Sequence, residues 1–229
     1  MKHIIIGDLH GRDLWKRVKF AQYEKVVFLG DYVDSFTRSD EVILRNLQDI
    51  IDLKKRHPKN VVLLWGNHDV QYLHFPKYRC PGFRESMQPK LTFLFQTNRE
   101  LFQMAYQRRN IIFTHAGITN TWYRRFRDSV AAYKVRTPIS SLADLLNDVE
   151  FSEYEEILYT YSPFRTGAKD DGGILWADYM ETFHDTLNGY HQFVGHSPQD
   201  AMQHFSWRGK SITYLDVLHK QIYFHELHC

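Results

Sequence analysis

Ile4-Ile5-Ile6-Gly7-Asp8-Leu9-His10-Gly11 decides the fold. The unbroken β-branched run reads as a buried strand. It stops at a glycine, and a carboxylate and an imidazole follow at once. The pattern returns along the chain. Val26–Leu29 leads into Gly30-Asp31-Tyr32-Val33-Asp34, and Val61–Leu64 precedes Gly66-Asn67-His68-Asp69. Ile111–Phe113 leads into Thr114-His115-Ala116-Gly117, and Gln192–Val194 into Gly195-His196-Ser197. Helical patterns lie between the strands. Glu41 to Arg56 puts Val42, Leu44, Leu47, Ile50, Ile51 and Leu53 roughly on one face, and His57-Pro58 ends it. Leu91 to Arg109 reads as a second long helix, with Leu94, Phe95, Leu101, Phe102 and Ala105 inward. Alternating strand and helix gives an α/β layered fold.

The second half changes character. Thr119 to Tyr161 reads as mostly helical, and Ser162 to Gly173 as a polar loop. Gly173–Trp176, Ser211–Leu215 and Gln221–His225 read as short strands. No linker is long enough to separate a further domain, so residues 1–229 read as one domain with a mostly helical insertion at about 119–172.

Bulk composition narrows the class. Of the 229 residues, 43% are apolar, 24% charged and 15% aromatic, an ordinary globular balance. A net charge of +2 lacks the basic excess of a dedicated nucleic-acid binder. Cys80 and Cys229 stand far apart, which argues against a disulfide framework and fits a reducing compartment. The apolar run at the start is too short for a signal peptide or membrane span. The expectation is a soluble, cytoplasmic protein.

Each motif at a strand's carboxyl end sits where ligands bind in open α/β sheets. Alone, each has a plain explanation: Asp8-Leu9-His10 as a polar turn, Asp31 and Asp34 as helix caps, Asn67-His68-Asp69 as a turn. His115 and His196 read singly as hydrogen-bonded histidines at a sheet edge. Together they form an oxygen and nitrogen ligand set suited to hard or borderline divalent metals. Without metal, such buried carboxylates would repel one another.

These five motifs, in this order, resemble the calcineurin-like metallophosphoesterases. The likeness is closest to the branch of serine/threonine phosphoprotein phosphatases and bacterial diadenosine tetraphosphatases, and it runs from Gly7 to Ser197. It implies a four-layer α/β/β/α sandwich and two divalent ions, with Mn²⁺ preferred and Fe, Zn²⁺ or Ni²⁺ possible. It also implies roles. Asp8 and His10 would bind the first ion, Asp31 would bridge, and Asn67, His115 and His196 would bind the second. His68 would be the general acid, oriented by Asp34. A metal-bridging hydroxide would attack phosphorus, with the ions about 3.5–4 Å apart.

The sequence departs from that pattern in two places. The phosphatase branch continues its second motif as Asp-Arg-Gly, where the arginine clamps phosphate. Here Asp34-Ser35-Phe36 stands instead, and serine offers no bidentate fork. Arg84 is the first candidate to replace it, with Arg38 and Arg165 as alternatives. After His196 comes Ser197-Pro198, not the second histidine of the nuclease and purple-acid-phosphatase branches. Within Gly173-Ile174-Leu175-Trp176-Ala177-Asp178, the place that sometimes carries a phosphate-binding arginine offers Asp178.

Other features stay in the background. The histidines crowding the C-terminal third read as exposed or locally bonded, and Arg124-Arg125-Arg127 as a solvated helix face. Cys80 reads as an ordinary cysteine ahead of a redox switch, because nothing near it in the sequence marks an activated thiol, and Tyr72–Phe83 forms either an aromatic rim or ordinary core. The expected function is a phosphomonoesterase acting on a phosphoprotein, nucleotide or small phosphate ester. The alternatives are a dinucleoside polyphosphate hydrolase or phosphodiesterase, and a non-catalytic metal-binding scaffold.

Overall fold

The computed structural model describes residues 2–168 and 170–228, and Cys229 lies outside them. The elements run β1 (Lys2–Ile6), β2 (Lys25–Phe28), α1 (Asp40–Arg56), β3 (Val61–Leu64), α2 (Asn67–Leu73) and α3 (Gln88–Thr97). Next come β4 (Phe102–Gln103), β5 (Tyr106–Arg108), β6 (Ile111–Phe113), α4 (Asn120–Ser129), α5 (Leu142–Val149) and α6 (Pro163–Thr166). Last are α7 (Tyr179–His184), β7 (His191–Val194), β8 (Gln203–Trp207), β9 (Lys210–Tyr214) and β10 (His225–His228). The chain divides into two compact units, Met1–Gln103 with Val217–Cys229, and Met104–Asp216. The fold is α/β, with one five-stranded sheet in each unit.

In the first unit the strand order is β10-β1-β2-β3-β4. β1, β2 and β3 run parallel, with Ile4 opposite Val26 and Val26 opposite Val61. Parallel pairing carries the chain ends of all three strands to one side of the sheet, and the first three motifs with them. The strands are almost wholly buried, as unbroken apolar runs require. α1 begins at Ser39, whose side chain accepts from Val42 N, and stops at His57 before Pro58. Its buried face is Ile43, Asn46, Leu47, Ile50, Ile51 and Leu53. Val42, expected inward, is exposed, because the stripe is set by Ile43 and its i+4 and i+7 partners. Asn46 is tolerated there because it accepts from Trp15 Nε1 at 2.8 Å.

The long helix expected from Leu91 to Arg109 is not formed. α3 ends at Thr97, and Phe102 enters the sheet beside Leu63, where its ring stacks on Trp65 at 4.4 Å between centroids. In the second unit, Tyr106–Arg108 folds back on Ile111–Phe113 as an antiparallel pair, with Arg109 in the left-handed region at φ 54°. Sheet pairing overrides a helical period here.

The second unit's sheet runs β5-β6-β7-β9-β8, with β6, β7 and β9 parallel. Val194, Ile212 and Tyr214 form its buried centre, packed by Tyr179 and Phe205. Within 119–172, α4, α5 and α6 are short and joined by irregular chain, so helix there is less continuous than the sequence suggests. Gly173–Trp176, expected as a strand, is a turn closed by Trp176 N to Gly173 O at 2.9 Å. The last strand begins at His225, where the expected one ended.

Candidate active site

Each of the five motifs follows a strand, as expected: β1, β2 and β3 in the first unit, β6 and β7 in the second. In the first unit the loops after β1 and β2 interlock through backbone. Leu9 N and His10 N donate to Asp31 O at 3.0 and 2.8 Å, and Gly11 N to Tyr32 O at 2.9 Å. The loops after β2 and β3 come closer still. A Cβ on Gly66 would lie 2.2 Å from Asp31 N and Asp31 Oδ1, so only glycine fits.

Among the described residues, six other than glycine have positive φ, and four of them are candidate site residues: His10, Asp31, Asp34 and His196. Such conformations cost about 1–3 kcal/mol each and gather where function demands them. Neither Asp31 nor Asp34 caps a helix, since Ser39 caps α1.

His10 Nδ1 lies 3.0 Å from Val33 O and 2.9 Å from Asp34 O. Both neighbours are acceptors, so Nδ1 carries the proton and Nε2 the lone pair. Nε2 points toward Asp31, 3.7 Å from Oδ2. Burial pulls the His10 imidazole down to about 4, against the opposing pull of Asp31. It is therefore neutral near pH 7, the form that binds metals. The donor atoms of His10, Asp31 and His68 all lie within 4.8 Å of one another. Asp8 and Asn67 are buried in the same unit. Carboxylates, imidazoles and an amide in this arrangement fit divalent cations.

Asn67, His68 and Asp69 form the first turn of α2, not a free turn. His68 N donates to Asp31 Oδ1 at 2.9 Å. The His68 ring meets His10 edge to face at 5.0 Å, and its Nδ1 is 3.0 Å from Asp34 Oδ2. Burial alone would disfavour a His68 cation, but Asp31 and the bond to Asp34 outweigh it and hold the imidazole well above its usual value. Burial raises the Asp34 carboxyl, opposed by His68 and Tyr72.

Asp69, which the third motif contains without a role, and Gln71 and Tyr72 just after it complete this arrangement. Asp69 is fully buried and accepts from Asp31 N at 2.8 Å, Gly66 N at 2.9 Å and Tyr32 N at 3.0 Å. It therefore fixes the backbone of Asp31. Tyr72 donates its hydroxyl to Asp34 Oδ1 at 2.5 Å, and Gln71 Nε2 donates to Asp34 Oδ2. An acid three residues after Gly66 was a readable helix-start signal. Nothing in the sequence marked Gln71, and Tyr72 stood only as the start of an aromatic rim or core stretch.

The arginines divide. Arg84, the first choice as phosphate clamp, is engaged by Asp40, by Ser35 O and by Arg38 O, the last at 3.0 Å. It straps the loop after Asp34. Arg38 is exposed. Arg165, in the second unit, donates through Nη2 to Ser197 Oγ at 3.1 Å, one residue from His196. Its Nε lies 3.1 Å from Asp178 Oδ2. The acid standing where an arginine was sought thus holds an arginine brought by α6. In the same unit the rings of buried His115 and His196 lie 5.0 Å apart. Tyr72, Phe83 and Phe75 form a stack under the Arg79 guanidinium, which sits 3.6 Å from the Phe83 centroid. Arg125, expected on a solvated helix face, donates to Asp171 O at 2.7 Å.

A buried cluster of carboxylates and imidazoles on loops after parallel strands defines a metal-binding hydrolase type of site. The chain belongs to the calcineurin-like phosphoesterase family, whose model matches residues 1–214. It is 38% identical over 88 residues to the Serine/threonine-protein phosphatase C23G10.1 of Caenorhabditis elegans, a match covering 36% of this chain and 18% of that protein. A putative serine/threonine-protein phosphatase of Schizosaccharomyces pombe, C22H10.04, is 40% identical over 70 residues, 28% of this chain and 22% of that protein. The chain thus spans about a fifth of the length of these curated relatives. Among solved structures, the cold-active protein-tyrosine phosphatase of a psychrophile Shewanella sp. shares the fold at a TM-score of 0.60 and 17% identity. That likeness covers 96% of this chain and 72% of that one. No helix among the described residues is long and apolar enough to cross a membrane.

Proposed function

We propose that this chain hydrolyses phosphate monoesters, in the manner of a phosphoprotein phosphatase, with two divalent ions of which Mn²⁺ is the preferred pair. The observation that carries the reading is the His68–Asp34 pair set beside the His10–Asp31 pair in one buried cluster. Asp8 and His10 are assigned to the first ion and Asp31 to both. On the family's motif pattern, Asn67, His115 and His196 are assigned to the second. When bound, two such ions supply Lewis acidity toward the phosphoryl oxygens and acidify water to a nucleophile.

The chain's own groups do the rest. Asp34 accepts the Nδ1–H hydrogen bond of His68, which turns Nε2 toward the departing ester oxygen to deliver a proton there. Tyr72 and Gln71 hold Asp34 still, so the imidazole keeps its orientation. Arg165, fixed by Asp178 and Ser197, is assigned to the phosphate in place of the missing clamp at Ser35. Cytoplasmic residence is part of the same reading and rests on sparse, well-separated cysteines.

The test uses p-nitrophenyl phosphate, its bis ester and diadenosine tetraphosphate, each with Mn²⁺. The monoester should be the best substrate. His68→Asn should retain metal and lose about 10²–10⁴-fold in kcat. A preference for either of the other substrates would replace the monoester reading. Absence of turnover with all three would leave a metal-binding scaffold.

A further inference from the structure

We propose that Asp34, His68 and Cys80 form a separate inhibitory site for a thiophilic divalent cation, zinc above all. One donor atom from each lies within 4.8 Å of the other two. Asp34 and Cys80 are buried, and the His68 side chain is 18% exposed, enough for an ion to enter. Cys80 arrives on the loop after α2 and is fixed there: its backbone N donates to Gln71 Oε1 at 3.1 Å, and Sγ lies 3.9 Å from Asn67 O. Gly82, at φ +90°, lets that loop wrap the pair closely. A Cβ there would sit 3.5 Å from Asp34 Cβ and 3.8 Å from His68 Cε1.

A thiolate, an imidazole and a carboxylate are a zinc donor set, with a fourth tetrahedral position left for water. Sulfur also separates this site from the dinuclear ligands. Those offer only oxygen and nitrogen, so Mn²⁺ is directed to them, while Zn²⁺ and Co²⁺ are drawn to Cys80. Binding forms a metal–sulfur and a metal–nitrogen bond. The Cys80 thiol gives up its proton to solvent, and so does the His68 ring nitrogen that takes the ion if it carries one. The hydrogen bond between His68 Nδ1 and Asp34 that orients the acid is thereby given up to the ion. This inhibitory consequence rests on His68 acting as the acid, whereas the site itself does not.

The experiment titrates Co²⁺ into the full chain preloaded with Mn²⁺ and follows thiolate-to-cobalt charge-transfer absorption. Oxygen and nitrogen ligands give no such band. Wild type should develop it with one equivalent, and Zn²⁺ should erase it. Cys80→Ser and Cys80→Ala should lack it. Zinc inhibition of Mn²⁺-supported turnover should weaken by at least about tenfold in Cys80→Ser, on the scale of lost metal-site interactions. No band in wild type would overturn the proposal whatever the variants do. So would a band surviving in both variants, which would assign it to Cys229, or equal zinc inhibition in wild type and Cys80→Ser. A Cys80-dependent band in a protein that turns over no phosphate ester would support the site and sink the phosphatase reading.

Discussion

Asp69→Asn tests how the metal-facing loops are held. The Asp69 carboxylate is fully buried and takes three backbone N–H groups: Asp31 and Gly66 on Oδ2, Tyr32 on Oδ1. Asparagine keeps the shape but has one acceptor oxygen. Placed at Oδ2 it retains two bonds and turns its amide N–H₂ onto the Tyr32 N–H. Losing one bond to a charged group costs about 1.5–3 kcal/mol, and the stranded buried donor adds about 1–3 kcal/mol. Burial and the charge of Asp31 push the Asp69 carboxyl well up, so removing the charge offsets part of that loss. The expected net effect is about 2–4 kcal/mol, a large share of a typical total of about 5–15 kcal/mol. Urea unfolding at neutral pH measures it, with m compared between the two proteins. Mn²⁺ affinity should also fall by about 10–100-fold, because Asp31 loses its anchor. A stability change under about 0.5 kcal/mol with unchanged m, the level of an ordinary surface substitution, would refute the assignment of Asp69 as the brace.

Gly66→Ala should yield insoluble or metal-free protein, because its Cβ would meet Asp31 N at 2.2 Å; soluble variant with full metal content would contradict this close approach. Asp148 is held below the usual carboxylate range: burial works against this, but Tyr133, the Arg136 backbone and guanidinium, and Thr137 prevail. Its folded value lies below the unfolded one, so its contribution is full above about pH 4 and vanishes as pH falls through the depressed value. The stability gap between wild type and Asp148→Asn should therefore close on acidification, and a widening gap in acid unfolding curves would reverse the argument. Arg165→Ala should raise KM for phosphate monoesters with little change in melting temperature, whereas Arg84→Ala should lower the melting temperature by releasing its strap on Asp40, Ser35 and Arg38. The opposite pattern in paired kinetic and thermal measurements would return the clamp to Arg84.

The parallel strands were readable because they are buried on both faces. Ile4–Ile6, Val26–Phe28 and Val61–Leu64 need no alternation, and a glycine follows each within two residues, with polar residues directly behind. The metal-type residues were readable for the same reason, since chemistry follows each strand end. The segment from Leu91 to Arg109 misled because its apolar spacing suits a helix. Phe102 and Tyr106 instead gain more by pairing with Leu63 and Phe113, partners that no local period reveals. Val42 was misplaced for a related reason, since a helix chooses its buried face against a sheet the sequence does not display.

By itself, then, the sequence determined the alternation of strand and helix, the strand-end positions of the five motifs, and the kinds of donor they carry. These follow from local composition and short spacing. Only the tertiary structure decided that Asp69 braces Asp31, that Tyr72 and Gln71 hold Asp34, that Arg84 is a strap while Asp178 grips Arg165, and that Cys80 reaches His68. Those are contacts between side chains and loops far apart along the chain. Their energy depends on distance and direction in space, which residue order alone does not encode.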